Sequence, residues 1–217
     1  MFLNIHGRQI HYDKRGTGQP IILLHGNGEN LSIFKECTDL LQRFFTVYSV
    51  DLAGHGRSYH PDELHYETHA SDIYAFIQSL GLQKPVLYGF SDGGIVGLIL
   101  ASKYPSLLSK LIVSGVNIHP YGLKSINRLT TKMRYLATKS KKAWMMLAEP
   151  NITRKDLAKI KIPTFLTVGE FDCIRLAHTK FICKHIKNCR LRIFKNHLHG
   201  SYVIHSKQIA EYILALS

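Results

Sequence analysis

The sequence predicts an α/β protein with one mostly parallel sheet covered by helices on both faces. Short apolar runs, typical of strands buried on both sides, alternate with segments of helical periodicity along almost the whole chain. Such alternation implies right-handed crossovers between parallel neighbours. The 217 residues suffice for a single domain, residues 1–217, with a substantial core.

The first half of the chain opens with a predicted hairpin. Residues 2–6 and 9–14 alternate polar and apolar side chains around His6-Gly7, a turn signal. Strands and helices then alternate as far as residue 114. The predicted strands are 20–25, 45–51, 85–89 and 110–114, and the predicted helices are 31–43, 68–80 and 93–104.

The second half continues the alternation after a long interruption. We predict strands at 163–169 and 190–195 and helices at 177–186 and 202–216. Residues 117–151 are too long for a simple connection between strand and helix. Their apolar residues fall at helical spacing from Leu123 to Leu136, and an apolar cluster follows at 143–147. This predicts a short helical lid of one or two helices rather than a second domain.

The composition excludes several classes of protein. With 45% hydrophobic and 20% charged residues, the chain is neither disordered, collagen-like nor a coiled coil. No apolar run approaches the ~18 residues of a membrane span. The first residues lack the pattern of a signal peptide, and the four cysteines form no C-x-x-C pair. We therefore expect a cytoplasmic protein with reduced thiols.

The net charge of +13 is unevenly distributed. Residues 1–100 carry 7 basic and 10 acidic side chains, whereas residues 101–217 carry 21 basic and 5 acidic ones. Such asymmetry is compatible with nucleic acid, an anionic membrane surface, acidic substrates or a surface that is merely well solvated.

The strongest chemical signal is Gly-Phe-Ser-Asp-Gly-Gly at 89–94. It follows a predicted strand and opens a predicted helix, which is the setting of the G-x-S-x-G nucleophile elbow. In so tight a turn, side chains at positions 89 and 93 collide, so Gly89 and Gly93 are required there. The motif occurs by chance elsewhere, but in this setting it predicts Ser91 as a nucleophile.

A second signal is Leu-His-Gly-Asn-Gly at 24–28, at the end of a buried strand. Acyl transfer generates an oxyanion that requires preorganised hydrogen-bond donors. The backbone N–H groups of Asn27 and Asp92 are the expected pair. Taken alone, the segment is also compatible with a plain turn.

A serine hydroxyl is a weak nucleophile unless a base activates it and an acid orients that base. In this setting the acid and then the histidine follow the serine along the chain. Asp172 lies just beyond a predicted strand, and we prefer it to Glu170, which we expect to hold the loop. Asp172 as a turn former is the structural alternative. His199 is the expected base, with His197 in reserve.

These motifs together resemble the α/β-hydrolase fold family over about residues 2–216. The matching segments are 24–28, 51–58, 89–94, 169–172 and the histidine at 199. Asp-Leu-Ala-Gly-His-Gly-Arg-Ser at 51–58 resembles a structural turn of the family, with Ala53 where arginine is usual. The resemblance implies an eight-stranded sheet, a Ser91–Asp172–His199 catalytic triad, and catalysis without metal or cofactor. Leu198 departs from the glycine usual before the histidine, and this leaves His197 open.

The expected function is hydrolysis of a small carboxylic ester. The Ser-Asp-Gly-Gly sequence is similar to that of some amino-acid-ester hydrolases, so small amides or aminoacyl esters are the alternative. A non-catalytic binding protein of the same fold is a third possibility. The basic residues of the predicted lid favour an anionic substrate or an acidic surface, or serve only solubility. We expect no nucleic-acid partner and no stable membrane association, and the chain is either a monomer or a homodimer.

Overall fold

The structure, a computed structural model, describes residues 1–216. In this part of the chain eight strands form one sheet in the order β1-β2-β4-β3-β5-β6-β7-β8. Strand β2 is antiparallel to both of its neighbours, and the other pairs are parallel. The predicted fold class is therefore confirmed. The strands are β1 (Phe2–Ile5), β2 (Arg8–Arg15), β3 (Gln19–Leu24), β4 (Phe45–Val50), β5 (Val86–Phe90), β6 (Lys110–Ser114), β7 (Thr164–Gly169) and β8 (Cys189–Phe194).

Helices cover both faces of the sheet. They are α1 (Lys35–Leu41), α2 (Tyr66–Ser79), α3 (Asp92–Lys103), α4 (Ser125–Thr138), α5 (Lys141–Ala148), α6 (Arg154–Lys159), α7 (Leu176–His185) and α8 (Gln208–Leu214). Short 3-10 turns at Leu31–Phe34 and Pro120–Gly122 precede α1 and α4. None of the helices in residues 1–216 combines the length and hydropathy that crossing a membrane requires.

Strand β3 illustrates why the central strands read as unbroken apolar runs. Ile21 and Leu23 belong to one apolar cluster and Ile22 and Leu24 to the other, because successive side chains point to opposite faces. All four are fully buried. Burying each such side chain contributes about 1.5–3 kcal/mol. The carboxyl end of β3 is thereby held firmly beside that of β5.

The structure differs from the sequence predictions in two helices. The last helix begins at Gln208 and not at 202, because the chain first makes a turn in which His205 has a positive φ of 49°. Helix α6 was not predicted. It is held by a capping box in which Thr153 and Asp156 each accept a hydrogen bond from the other's backbone N–H.

Residues 117–151 fold into the 3-10 turn, α4 and α5, and they pack over the carboxyl ends of the strands. Helix α4 contains no buried side chain. An ordinary amphipathic helix turns its apolar stripe toward the protein. The stripe instead faces solvent, and only Leu123, just before the helix, is buried. The action of this segment as a lid stays a prediction.

Candidate active site

Ser91 occupies a strained position between β5 and α3. Its backbone has φ 51° and ψ −114°, an unusual conformation for a residue with a side chain. Strain of this kind costs about 1–3 kcal/mol and persists where the surrounding fold enforces it. A Cβ on Gly89 would overlap the backbone of Gly93, and one on Gly93 would overlap the carbonyl group of Leu24. These overlaps exclude a side chain at either position, so the turn requires glycine at both.

The structure brings Ser91, His199 and Asp172 together from three separate loops. Oγ of Ser91 lies 3.1 Å from Nε2 of His199, and Nδ1 of His199 lies 2.7 Å from Oδ1 of Asp172. His197 does not reach the serine, because its Nδ1 lies 3.0 Å from Oγ of Ser201. Glu170 accepts a hydrogen bond from the backbone N–H of Asn196 at 2.9 Å and so holds the loop, as we expected.

Hydrogen bonds keep Asp172 ionised although its side chain is 1% exposed. Burial disfavours the carboxylate, but His199 and the backbone N–H groups of Ile174 and Gly169 stabilise it and keep its pKa below the ordinary value. Burial also opposes the charged form of His199, and this effect is outweighed by Asp172, with a smaller contribution from Cys173. The pKa of His199 is therefore raised. The pair is arranged to accept a proton on His199 and to stabilise the resulting cation.

Two backbone N–H groups near Ser91, those of Asn27 and Asp92, have no hydrogen-bond partner within residues 1–216. Asp92 is the first residue of α3, so its N–H belongs to the unpaired, electropositive end of that helix. The Asn27 loop is held on both sides. Nδ1 of His25 donates to the carbonyl oxygen of Gly26 at 2.8 Å, and Oε2 of Glu29 accepts from the N–H of Gly26 at 2.9 Å.

The Asp92 side chain links the serine turn to this loop. It is buried, and it accepts hydrogen bonds from Nδ2 of Asn27 at 2.9 Å and from the hydroxyl of Tyr66 at 2.8 Å. Burial raises the pKa of Asp92, and the bonds from Asn27 and Tyr66 counteract that rise. A buried carboxylate thus lies directly beside Ser91.

The cavity at Ser91 has a volume of about 30 Å³, which is room for roughly one water molecule. Its walls include Asp92, Cys173 and His199, and Met146 of α5 also contributes. Ser91 itself is half-buried, so α5 narrows the approach to the serine and does not close it.

Sequence reasoning missed three residues of the site. Gly115 has a φ of 61° and lies against the His199 ring, Glu29 holds the Asn27 loop, and Cys173 lines the cavity. Gly115 directly follows the carboxyl end of a predicted strand, and this position could have identified it as a site residue from the sequence. Asp172, Cys173 and His199 also place potential metal-ligand atoms within 4.8 Å of one another in the described part of the chain. Two of the three are already hydrogen-bonded to each other.

The segment 51–58 is a structural turn, as its sequence indicated. The Asp51 carboxylate accepts hydrogen bonds from the backbone N–H groups of Leu31 and Arg57, at 2.8 and 2.9 Å. Oγ of Ser58 donates to the carbonyl oxygen of Asp51 at 2.6 Å. These bonds hold the loop that follows β4.

Comparison with known proteins adds a family and several relatives. The family model described as alpha/beta hydrolase fold matches residues 19–142. The chain is 29% identical to serine hydrolase BPHL of Homo sapiens over 244 aligned positions, covering 95% of this chain and 83% of the relative. It is 27% identical to the AB hydrolase superfamily protein YisY of Bacillus subtilis, covering 93% and 92%.

Among solved structures, the esterase EaEST from Exiguobacterium antarcticum superimposes with a TM-score of 0.87. The likeness covers 99% of this chain and 98% of that one, at 24% identity, and so it concerns the fold. The 244 positions aligned with BPHL exceed the 217 residues of this chain. That relative therefore carries residues within the shared region that this chain lacks.

Proposed function

The chain belongs to the alpha/beta hydrolase fold family, and we propose that it is a serine hydrolase that cleaves a small carboxylic ester through an acyl-enzyme. Its relatives are hydrolases and esterases. The observation that carries the proposal is the hydrogen-bonded series Ser91–His199–Asp172, with the serine held at a strained turn. Nucleophile, base and orienting acid in hydrogen-bond reach are the arrangement that activates a serine hydroxyl.

In the first half of the reaction, Oγ of Ser91 attacks the ester carbonyl carbon while its proton passes to Nε2 of His199. The carbonyl oxygen becomes an oxyanion, which the N–H groups of Asn27 and Asp92 stabilise. The C–O bond to the alcohol then breaks, and the leaving oxygen takes the proton from His199. Asp172 orients the imidazole and stabilises its cation throughout.

In the second half, His199 removes a proton from a water molecule, whose oxygen attacks the acyl-enzyme carbonyl. The second oxyanion uses the same two N–H groups. Its collapse breaks the bond to Ser91, which recovers its proton from His199, and the carboxylic acid leaves. Atoms and charges balance with ester and water as the only reactants.

The test is the Ser91→Ala variant with p-nitrophenyl acetate as substrate. Loss of the nucleophile lowers kcat by about 10⁴-fold or more, as loss of a triad member does in comparable enzymes. Labelling with a fluorophosphonate is lost in the same variant. Ser71→Ala, which changes an exposed hydroxyl on α2, is the matched control and retains both. Undiminished turnover by pure Ser91→Ala protein contradicts the proposal.

The Asp92 carboxylate favours a second candidate, hydrolysis of an aminoacyl ester. A buried carboxylate beside the nucleophile is a counter-ion for the α-amino group of such a substrate. The experiment compares two esters that differ only in that amino group. If Asp92 binds it, Asp92→Asn raises KM for the aminoacyl ester more than for the matched acyl ester. An equal effect on both substrates leaves the simple ester as the function. A matched ester and amide pair tests the remaining alternative, amide hydrolysis.

A further inference from the structure

Helix α4 presents its apolar side chains to solvent. Ile126, Leu129, Met133 and Leu136 are 64%, 53%, 61% and 56% exposed. The half-buried residues of the helix are polar or aromatic ones on the opposite side, Tyr135 among them. An ordinary surface helix has the reverse arrangement, with its apolar stripe toward the core.

One aromatic side chain extends this apolar surface: Tyr121, before the helix, is 63% exposed. Trp144, on α5, is 51% exposed, but its ring lies 5.2 Å from that of Tyr135, on the side of α4 away from the stripe. Of the fourteen large hydrophobic side chains exposed in residues 1–216, Tyr121 and the four of α4 make five. Exposed apolar residues concentrated in one segment mark an interaction surface, since single scattered ones are the norm.

The same segment is strongly basic. From residue 117 to 148 it contains seven basic side chains and no acidic one: Lys124, Arg128, Lys132, Arg134, Lys139, Lys141 and Lys142. At ~100° per residue, Lys132 lies at the edge of the apolar stripe, and Arg128 and Lys132 line one groove with Leu129 of the stripe. We call Arg128 and Lys132, together with the five exposed apolar side chains, the α4 surface.

We propose that the α4 surface docks on an anionic phospholipid membrane, with α4 parallel to the bilayer plane. An apolar stripe flanked by lysine and arginine is the chemistry of a helix that lies in the interface. The stripe enters the boundary of the acyl chains, and the flanking cations meet the negative headgroups. The sequence predicted no stable membrane association. The outward orientation of the stripe, which periodicity does not determine, changes that expectation.

A groove beside the stripe supports a phosphate-bearing partner. It has a volume of about 450 Å³ and is lined by Tyr121, Arg128 and Lys132, among others. The Arg128 guanidinium stacks on the Tyr121 ring at 4.3 Å. Its Nη1 atom is buried and has no hydrogen-bond partner in the part of the chain that the structure describes. An unsatisfied guanidinium N–H in a basic groove suits a phosphate oxygen.

Charge argues against the two other occupants. A second copy placed stripe to stripe would bring the Arg128 and Lys132 side chains of the two copies together, and this repulsion opposes the contact. Nucleic acid would match the charge and leave the apolar stripe uncovered. An anionic lipid surface covers the apolar stripe with its acyl chains and pairs the basic side chains with its headgroups.

The experiment measures binding of the full chain to lipid vesicles by cosedimentation. The chain is mixed with phosphatidylcholine vesicles, with or without phosphatidylserine. We expect binding with phosphatidylserine, weakened by salt. Replacing Lys132 by glutamine lowers the partition coefficient about five-fold. Leu129→Ser with Met133→Ser abolishes the binding.

The matched controls are Phe44→Ser, another exposed apolar side chain, and Lys180→Gln, another exposed lysine, on α7. They keep wild-type binding, and circular dichroism verifies that every variant folds. If the wild-type protein does not bind phosphatidylserine vesicles, the proposal is overturned. An equal loss of binding in the variants and the controls also overturns it. Sedimentation that shows a dimer dissociated by the stripe variant also overturns it, in favour of a second copy. These readouts do not depend on hydrolysis and stand apart from the proposed function.

Discussion

Replacing Gly115 by alanine tests how tightly the fold holds the His199 imidazole. Gly115 follows β6 with a φ of 61°, a conformation in which alanine costs about 1–2 kcal/mol relative to glycine. An added Cβ would also lie 2.5 Å from Cε1 and 2.7 Å from Nδ1 of His199, whereas ordinary contact begins at 3.4 Å. The substitution therefore combines backbone strain with a direct collision at the proposed base.

The collision sets the expected loss of activity. The ring has to retreat by about 0.9 Å, the difference between 3.4 and 2.5 Å. The Nε2–Oγ distance to Ser91 is 3.1 Å, so a movement of that size breaks the hydrogen bond. A misplacement near 1 Å costs about 10²-fold in rate. We expect kcat to fall by that factor and KM to change little, because the substitution acts through His199.

Gly81→Ala is the matched control for backbone strain. Gly81 has nearly the same φ, 60°, and an added Cβ there meets no atom within 4 Å. Urea denaturation measures the free energy of unfolding of both variants, and steady-state kinetics on p-nitrophenyl acetate measures kcat and KM. Gly115→Ala loses more stability than Gly81→Ala, because only Gly115→Ala adds a collision to the backbone strain. Only Gly115→Ala loses activity. Equal kcat values in the two variants would show that His199 is not held as described.

Two further predictions concern pH. Although burial opposes the charged form of His199, Asp172 raises the pKa of this histidine, so kcat/KM rises with pH through a midpoint above 6.5. Asp172→Asn moves that midpoint to lower pH. An unmoved midpoint excludes His199 as the titrating base. Burial lowers the pKa values of His25, His55 and His69 to about 4, 3 and 4. Below pH 6.5 the unfolded chain therefore binds more protons than the folded one. As the pH is lowered, the free energy of unfolding by urea falls by up to about 1.4 kcal/mol per pH unit for each histidine. Replacing His55 by asparagine reduces this pH dependence.

Most of the sheet is predictable because its strands are apolar on both faces. Strand β6 was predicted with its observed bounds, and the bounds of the other central strands shift by one residue. Helix α6 was missed because six residues carry too little periodicity, although Thr153 and Asp156 have the spacing of a capping box. The predicted last helix was too long, since Tyr202 and Val203 are buried in a turn and are not part of α8.

The site was predictable where chemistry and backbone constrain the same residue. Ser91 stands between two glycines at a strand–helix junction, and that pattern has few other structural explanations. His199 and His197 were not separable by sequence, because the choice depends on how the loop after β8 turns. The orientation of α4 was likewise hidden. Periodicity locates an apolar stripe on a helix and does not say whether protein or solvent lies against it.

The sheet order has a consequence for how activity is lost. Strand β8 is an edge strand that pairs only with β7 among the described strands, and the loop after it carries His199. Edge elements open locally at lower free energy than the centre of a sheet. Detachment of β8 would remove the imidazole while β3, β5 and the Ser91 turn stay folded. Inactivation on heating therefore precedes the loss of the central sheet, and a growing chain acquires its hydrolytic site only when the final strand is docked.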